Sequence, residues 1–178
     1  RPMKPDPGIR VQTVRIPTEN GGVSALLLSP LTAPKNAAGI LWLHGGGYIA
    51  GMKEMVHASR AIDLVKKFGA VVLSPGYRLA LKAPYPAAID DCYAALLYLK
   101  AHAAAFGVRS DQLMVGGESA GVPAELDVYH SDMHAFDMMR PDDVLSIQAA
   151  EAFNTRFADA QARFFTPQHE IQEERHDS

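Results

Sequence analysis

A single cysteine, Cys92, stands in a chain of 178 residues, so no internal disulfide can form. Its apolar, helix-like surroundings read as those of a small buried hydrophobe, and a reducing, cytoplasmic setting is the default expectation. No basic stripe runs through the sequence and the formal net charge is −3, which argues against nucleic acid as a partner. No apolar run approaches the length of a membrane span, and no signal-peptide pattern is visible from Arg1 onward, so no membrane partner is expected. Gly-Lys-Ser/Thr does not occur, and Gly45-x-Gly47 lacks the last glycine of the dinucleotide spacing, so no phosphate loop is supported. Internal repeats and low-complexity stretches are missing too. What is there is ordinary: 48% hydrophobic and 21% charged residues, which suits one soluble domain with a real core.

The pattern along the chain predicts strands alternating with helices. Val11 to Ile16 alternates as a strand should, Glu19-Asn20-Gly21-Gly22 signals a turn, and Val23 to Leu28 completes a hairpin. Ile40 to Leu43 is short and wholly apolar, the kind of strand buried on both faces, and Ala70 to Leu73 is another. Between them Val56, Ala61, Ile62, Leu64 and Val65 mark one face of a helix that stops at Gly69. A strong helix follows from Ala87 to about Ala103, with Asp90 and Asp91 placed to favour its dipole. Leu113 to Val115 is the next strand, Glu125 to Tyr129 alternates as a late one, and Asp143 to Phe165 has helical spacing. Its apolar side reads as Val144, Ile147, Ala150, Phe153, Phe157 and Ala160. This order predicts an α/β fold with a mostly parallel sheet covered on both faces.

Two glycine motifs carry the chemistry. Gly117-Glu118-Ser119-Ala120-Gly121 follows the strand at Leu113, and a serine with glycines two residues away on each side after a strand is the nucleophile-elbow pattern. The sharp turn admits only small neighbours and holds the hydroxyl out of the sheet. His44-Gly45-Gly46-Gly47 closes the strand at Ile40. Either motif alone matches a Gly-rich turn; together they point to a serine hydrolase. Ester cleavage needs a nucleophile, a base and an anion site. Ser119 is the nucleophile, and the backbone N–H groups of Gly46, Gly47 and Ala120 are the candidate oxyanion hole. His130 and His134 have a His-x3-His spacing, but with no third ligand nearby a metal is not indicated, and no cofactor is implied.

These motifs, together with Tyr77-Arg78-Leu79-Ala80 and Tyr85-Pro86-Ala87-Ala88-Ile89-Asp90-Asp91, resemble the hormone-sensitive-lipase branch of the α/β-hydrolase fold, the bacterial carboxylesterases with a His-Gly-Gly-Gly loop. The resemblance covers about residues 11 to 121 in order. It continues at Gly121-Val122-Pro123-Ala124-Glu125-Leu126-Asp127-Val128-Tyr129, similar to the family's last strand. His134-Ala135-Phe136 is similar to its catalytic-histidine loop. The resemblance therefore implies one incomplete hydrolase domain over residues 1–178, with His134 as the general base. The implied activity is that of a serine carboxylesterase acting on small acyl esters through an acyl-enzyme.

The departure lies between those two stretches. The family places strands, helices and its catalytic Asp between serine and histidine, whereas here only Gly121 separates Ser119-Ala120 from Val122-Pro123. About 60 to 130 residues are thus missing, at roughly 30 per strand-helix-strand unit. An internal deletion joined at a short repeat fits this, and so does a sequence giving part of a longer molecule. Asp132 and Asp137 lie near His134 but read as solvated loop carboxylates, which leaves the acid unassigned. The alternative function is a catalytically impaired scaffold with a binding or assembly role. A connection from Gly116 to Ala124 is too short for a parallel crossover, so in a verified short chain the late strand turns back antiparallel, swaps into a partner's sheet or stays loose; a swapped or otherwise associated homodimer is the expected outcome.

Overall fold

The computed structural model describes residues 3–19, 21–118 and 140–164. The Gly21-Gly22 turn, both glycines at positive φ, joins β1 (Ile9–Ile16) to β2 (Val23–Pro30) in an antiparallel hairpin with Ile16 opposite Val23. β3 (Ala37–Leu43) and β4 (Val71–Pro75) are buried along their whole lengths, as their apolar runs favour, and the one polar side chain, Ser74 of β4, donates to Lys53 O at 3.2 Å. With β5 (Val108–Gly117) they complete a five-stranded sheet in the order β1-β2-β4-β3-β5. β2 meets β4 antiparallel; β3 runs parallel to both β4 and β5. The described sheet is therefore mixed. The hairpin supplies its antiparallel side, and strands returning through helices supply the parallel side.

Alternation along β3 divides the core in two. Leu41 and Leu43 point to one face with Leu27 and Leu73, where Ala95 and Leu99 of α2 (Ala87–Ala101) cover them. Ile40 and Trp42 point to the other with Leu28 and Val72, beneath Ile62, Leu64 and Val65 of α1 (Ala61–Phe68). Phe157 of α3 (Val144–Phe164) joins that second face.

Three elements differ in extent from the sequence reading. The helix expected from Val56 to Gly69 is broken: Lys53–Ala58 is a 3₁₀ turn and α1 starts only at Ala61. Ser59 is the reason. Its hydroxyl donates to the Val56 carbonyl (2.8 Å) and accepts from the Ala61 N–H (3.1 Å), ending one helix and starting the next. α1 does stop at Gly69, which turns left-handed (φ 67°) and donates to Val65 O. β5 begins five residues before the expected Leu113: Val108 pairs with Ala37 and Leu113 with Gly39, and Arg109, Ser110, Asp111 and Gln112 fall in the register shift between those two pairs. Arg109 and Asp111, on one face at spacing two, pair with each other at 2.7 Å. The third difference is α3. Its expected apolar side is buried only in its middle: Phe153 meets Trp42 edge-on and Phe157 packs on Phe68, while Val144 is 72% and Ile147 46% exposed. The late strand at 125–129 lies outside the described residues.

Candidate active site

β3 and β5 are parallel neighbours, with Leu43 opposite Gly117, so both end at the same edge of the sheet. What leaves β3 is the glycine loop, beginning at His44; what leaves β5 is Glu118, the residue before Ser119. The two exits are tied: the Glu118 N–H donates to Leu43 O at 3.2 Å, and the Glu118 carboxylate accepts from the Arg60 N–H at 3.3 Å. The topology thus brings Gly117 and Glu118, the start of one motif, to the residue before His44, the start of the other. Ser119, Ala120 and His134 themselves lie outside the described residues, as do Asp132, Asp137 and His130.

The loop is built from its glycines. Gly46 adopts φ 120°, and a Cβ there would stand 2.2 Å from the Ala50 carbonyl oxygen. Only a residue without a side chain lets the chain fold back this closely. The Gly46 carbonyl accepts from the N–H groups of Ile49 (3.1 Å) and Ala50 (3.0 Å), closing the turn. Gly47 has φ 60°, and among the described residues nothing lies within 4 Å of where its Cβ would be. Among the described residues the N–H groups of Gly46 and Gly47 make no hydrogen bond. Unbonded backbone donors are one requirement of an anion site.

His44 anchors the loop from below. It is 2% exposed, and burial pushes its imidazole below its ordinary pKa, so the ring is neutral near pH 7. Its Nδ1 donates to Gly45 O at 2.9 Å, which leaves Nε2 as a buried acceptor without a partner among the described residues. The Tyr77 ring stacks on it, centroids 4.1 Å apart and planes 6° from parallel. Tyr77 Oη donates to His44 O at 2.7 Å, and burial raises that phenol to about 12. The next residue, Arg78, grips Asp91 of α2 through Nε, Nη2 and its own backbone N–H, each at 2.9 Å. Asp91 is therefore more than a dipole partner: it fixes the segment that carries Tyr77. The sequence reading quoted Tyr77 and Asp91 as motif residues without giving either this role. Their signal is an aromatic beside an arginine, with a carboxylate on the following helix.

Comparison with known proteins follows this geometry. A family profile described as alpha/beta hydrolase fold matches residues 40–128. The chain is similar to hormone-sensitive lipase of Bos taurus, 33% identical over 54% of this chain and 13% of that protein. It is similar to Esterase LipI of Mycobacterium tuberculosis, 33% identical over 65% of this chain and 36% of that protein. Among solved structures, a bacterial heroin esterase superposes with a TM-score of 0.60 at 30% identity, covering 65% of this chain and 37% of that one. A thermostable carboxylesterase cloned from a metagenomic library, EstE1, gives 0.60 at 32% identity, covering 67% and 40%. The chain thus spans between 13% and 40% of the length of these proteins.

Proposed function

Because the chain belongs to the α/β-hydrolase family, whose profile spans residues 40–128, we propose that it is a serine carboxylesterase acting on small acyl esters. Ester hydrolysis is the activity that the names of its esterase relatives carry. The observation that carries the finer reading is the shared exit of β3 and β5, where Glu118 N–H meets Leu43 O. That contact ties the residue before Ser119 to the end of β3, where the loop that carries Gly46 and Gly47 begins.

In this mechanism His134 takes the proton as Ser119 Oγ attacks the ester carbonyl carbon. The carbonyl oxygen gains negative charge, stabilised by the N–H groups of Gly46, Gly47 and Ala120. The tetrahedral centre collapses, the alkoxy group leaves with the proton from His134, and an acyl-serine remains. Water, deprotonated by His134, then releases the acid and restores the hydroxyl. No metal or cofactor enters these steps. A cytoplasmic setting belongs to the same proposal; among the described residues no helix is long and apolar enough to cross a membrane.

The test is labelling with a serine-directed phosphonate, located by peptide mass, followed by p-nitrophenyl acetate hydrolysis. Label on Ser119 and activity lost in Ser119→Ala are expected. Label elsewhere, or activity surviving that change, sinks the reading.

One observation favours the scaffold alternative. A groove of about 290 Å³ lies beside β5, lined by Ile40, Trp42, Met114, Val115, Phe153 and Phe157. β5 ends the described sheet order, and an apolar edge promotes pairing with another chain. On that reading the chain forms a homodimer through its late strand and turns over little substrate.

A further inference from the structure

We propose that the outer face of α2 is a self-association surface, on which the same helix of a second copy packs antiparallel. The inference does not depend on ester hydrolysis, and its surface is separate from the β5 edge. It begins with the composition of the helix. The 15 residues of α2 include only three with charge, Asp90, Asp91 and Lys100. Asp91 turns inward to Arg78 and is 1% exposed. The middle of the outer face therefore carries no charge. It presents Ile89, Tyr93 and Leu97, which are 51%, 60% and 48% exposed. The outward residues of α1, by contrast, are Lys66 and Lys67. A helix that is apolar on its outer side as well as its inner one calls for a second layer.

Spacing and charge commit that layer to a second copy. Asp90, Tyr93, Leu97 and Lys100 follow one another at intervals of three, four and three. Those intervals set them in one stripe along the helix and are the pattern of a two-helix seam. The ends of the stripe, about 15 Å apart at 1.5 Å per residue, carry opposite charges. Among the described residues neither Asp90 nor Lys100 makes an ion pair. A two-fold axis level with Ala95 matches the stripe to itself. Tyr93 then faces Leu97 of the partner subunit, and Asp90 faces Lys100 of the partner subunit. Each layer is apolar on apolar or acid on base. A parallel pairing would set acid on acid at one end and base on base at the other, so charge selects the antiparallel one.

The surroundings leave room for the second helix. Pro17, Thr18 and Glu19, just past the end of β1, face the flank of α2 across a recess of about 560 Å³. Among the described residues none covers the stripe, as the exposures of Tyr93 and Leu97 show. The contact is one helix wide. It therefore belongs with the small interfaces, whose association is weak and depends on concentration.

Sedimentation velocity of the 178-residue chain over a dilution series tests it. A dimer that dissociates on dilution is expected. Leu97→Glu puts a charge into the central layers and shifts the series to monomer. Asp90→Lys and Lys100→Asp each set like charges at both ends, and each raises the dissociation constant at least about fivefold. The decisive sample is those two variants mixed. Every end pair is then opposite in charge, and the mixture dimerises as the parent chain does. The double variant Asp90→Lys/Lys100→Asp restores the same pairs within one sequence. Circular dichroism checks that each variant is folded; Tyr93→Lys, which charges the same central layers, replaces Leu97→Glu if that one is not. A chain that stays monomeric at every concentration overturns the proposal. So does a dimer that ignores all of these changes, which is the result a contact through β5 gives.

Discussion

Gly46 and Gly47 are adjacent and both left-handed, yet they answer to different constraints. At Gly46 a methyl group meets the Ala50 carbonyl at 2.2 Å, so backbone must move; at Gly47 only the torsion resists. Gly46→Ala is expected to lower Tm by roughly 5–10 °C, from about 1–3 kcal/mol of forced backbone strain plus the clash. Gly47→Ala is expected to lower it by roughly 2–5 °C, from the left-handed torsion alone. Calorimetry on the two variants checks the order, and equal shifts would mean that the loop opens freely. His44 and His57 make a second residue-scale prediction. Burial lowers both imidazoles, so the folded chain binds fewer protons than the unfolded one below the unfolded value near 6.5. Stability is then whole above about pH 6.5 and falls as pH drops below it. Urea midpoints measured across that window test it; a flat profile would show both rings titrating alike in the two states. Cys92 gives a third. Burial, with Asp91 adding to it, pushes its thiol to about 12, so the native chain should resist iodoacetamide at pH 8 while the urea-unfolded chain reacts.

At the scale of elements, α3 shows how far a helical period reaches. Six positions from Val144 to Ala160 share a side, and spacing assigns them alike. The sheet beneath ends before the helix does. Phe153 and Phe157 find Trp42 and Phe68, whereas Ile147 reaches past the sheet, near the Arg60 side chain that donates to Ser146 O. Phe157→Ala should therefore cost about 3–5 kcal/mol, and Ile147→Ala no more than about 0.5 kcal/mol. Urea unfolding of the pair separates a packed from an unpacked apolar residue. β5 shows the other limit: apolar spacing marks the strand only at Leu113 to Val115, while the pairing of Val108 with Ala37 across a register shift starts it earlier.

At the scale of the molecule, the shortness of the stretch between Ser119 and His134 sets the expected turnover. Without an oriented acid the imidazole loses its tautomer and its stabilised cation, a loss of about 10⁴-fold in a protease of this type. If intact mass verifies 178 residues, p-nitrophenyl acetate hydrolysis is expected to be weak beside that of full-length esterases, by a factor of that order. Turnover at full strength, abolished in Ser119→Ala, would show that another carboxylate orients His134.

Sequence alone determined the hairpin, the two buried strands, the two main helices and both glycine motifs. Each of these depends on neighbours a few residues away: a period of two, a period near four, or a glycine where a side chain cannot fit. The α/β-hydrolase family was legible only through the resemblance of the two glycine motifs and the stretches around Tyr77 and Tyr85 to known members, and the family profile over residues 40–128 shows it. Only the tertiary structure decided that Tyr77 and Asp91 brace the glycine loop and that Glu118 is held against Leu43 and Arg60. These contacts join residues whose separation along the chain carries no period. They exist because parallel strands β3 and β5 end at one edge, and strand order is set by how the whole sheet buries its two faces.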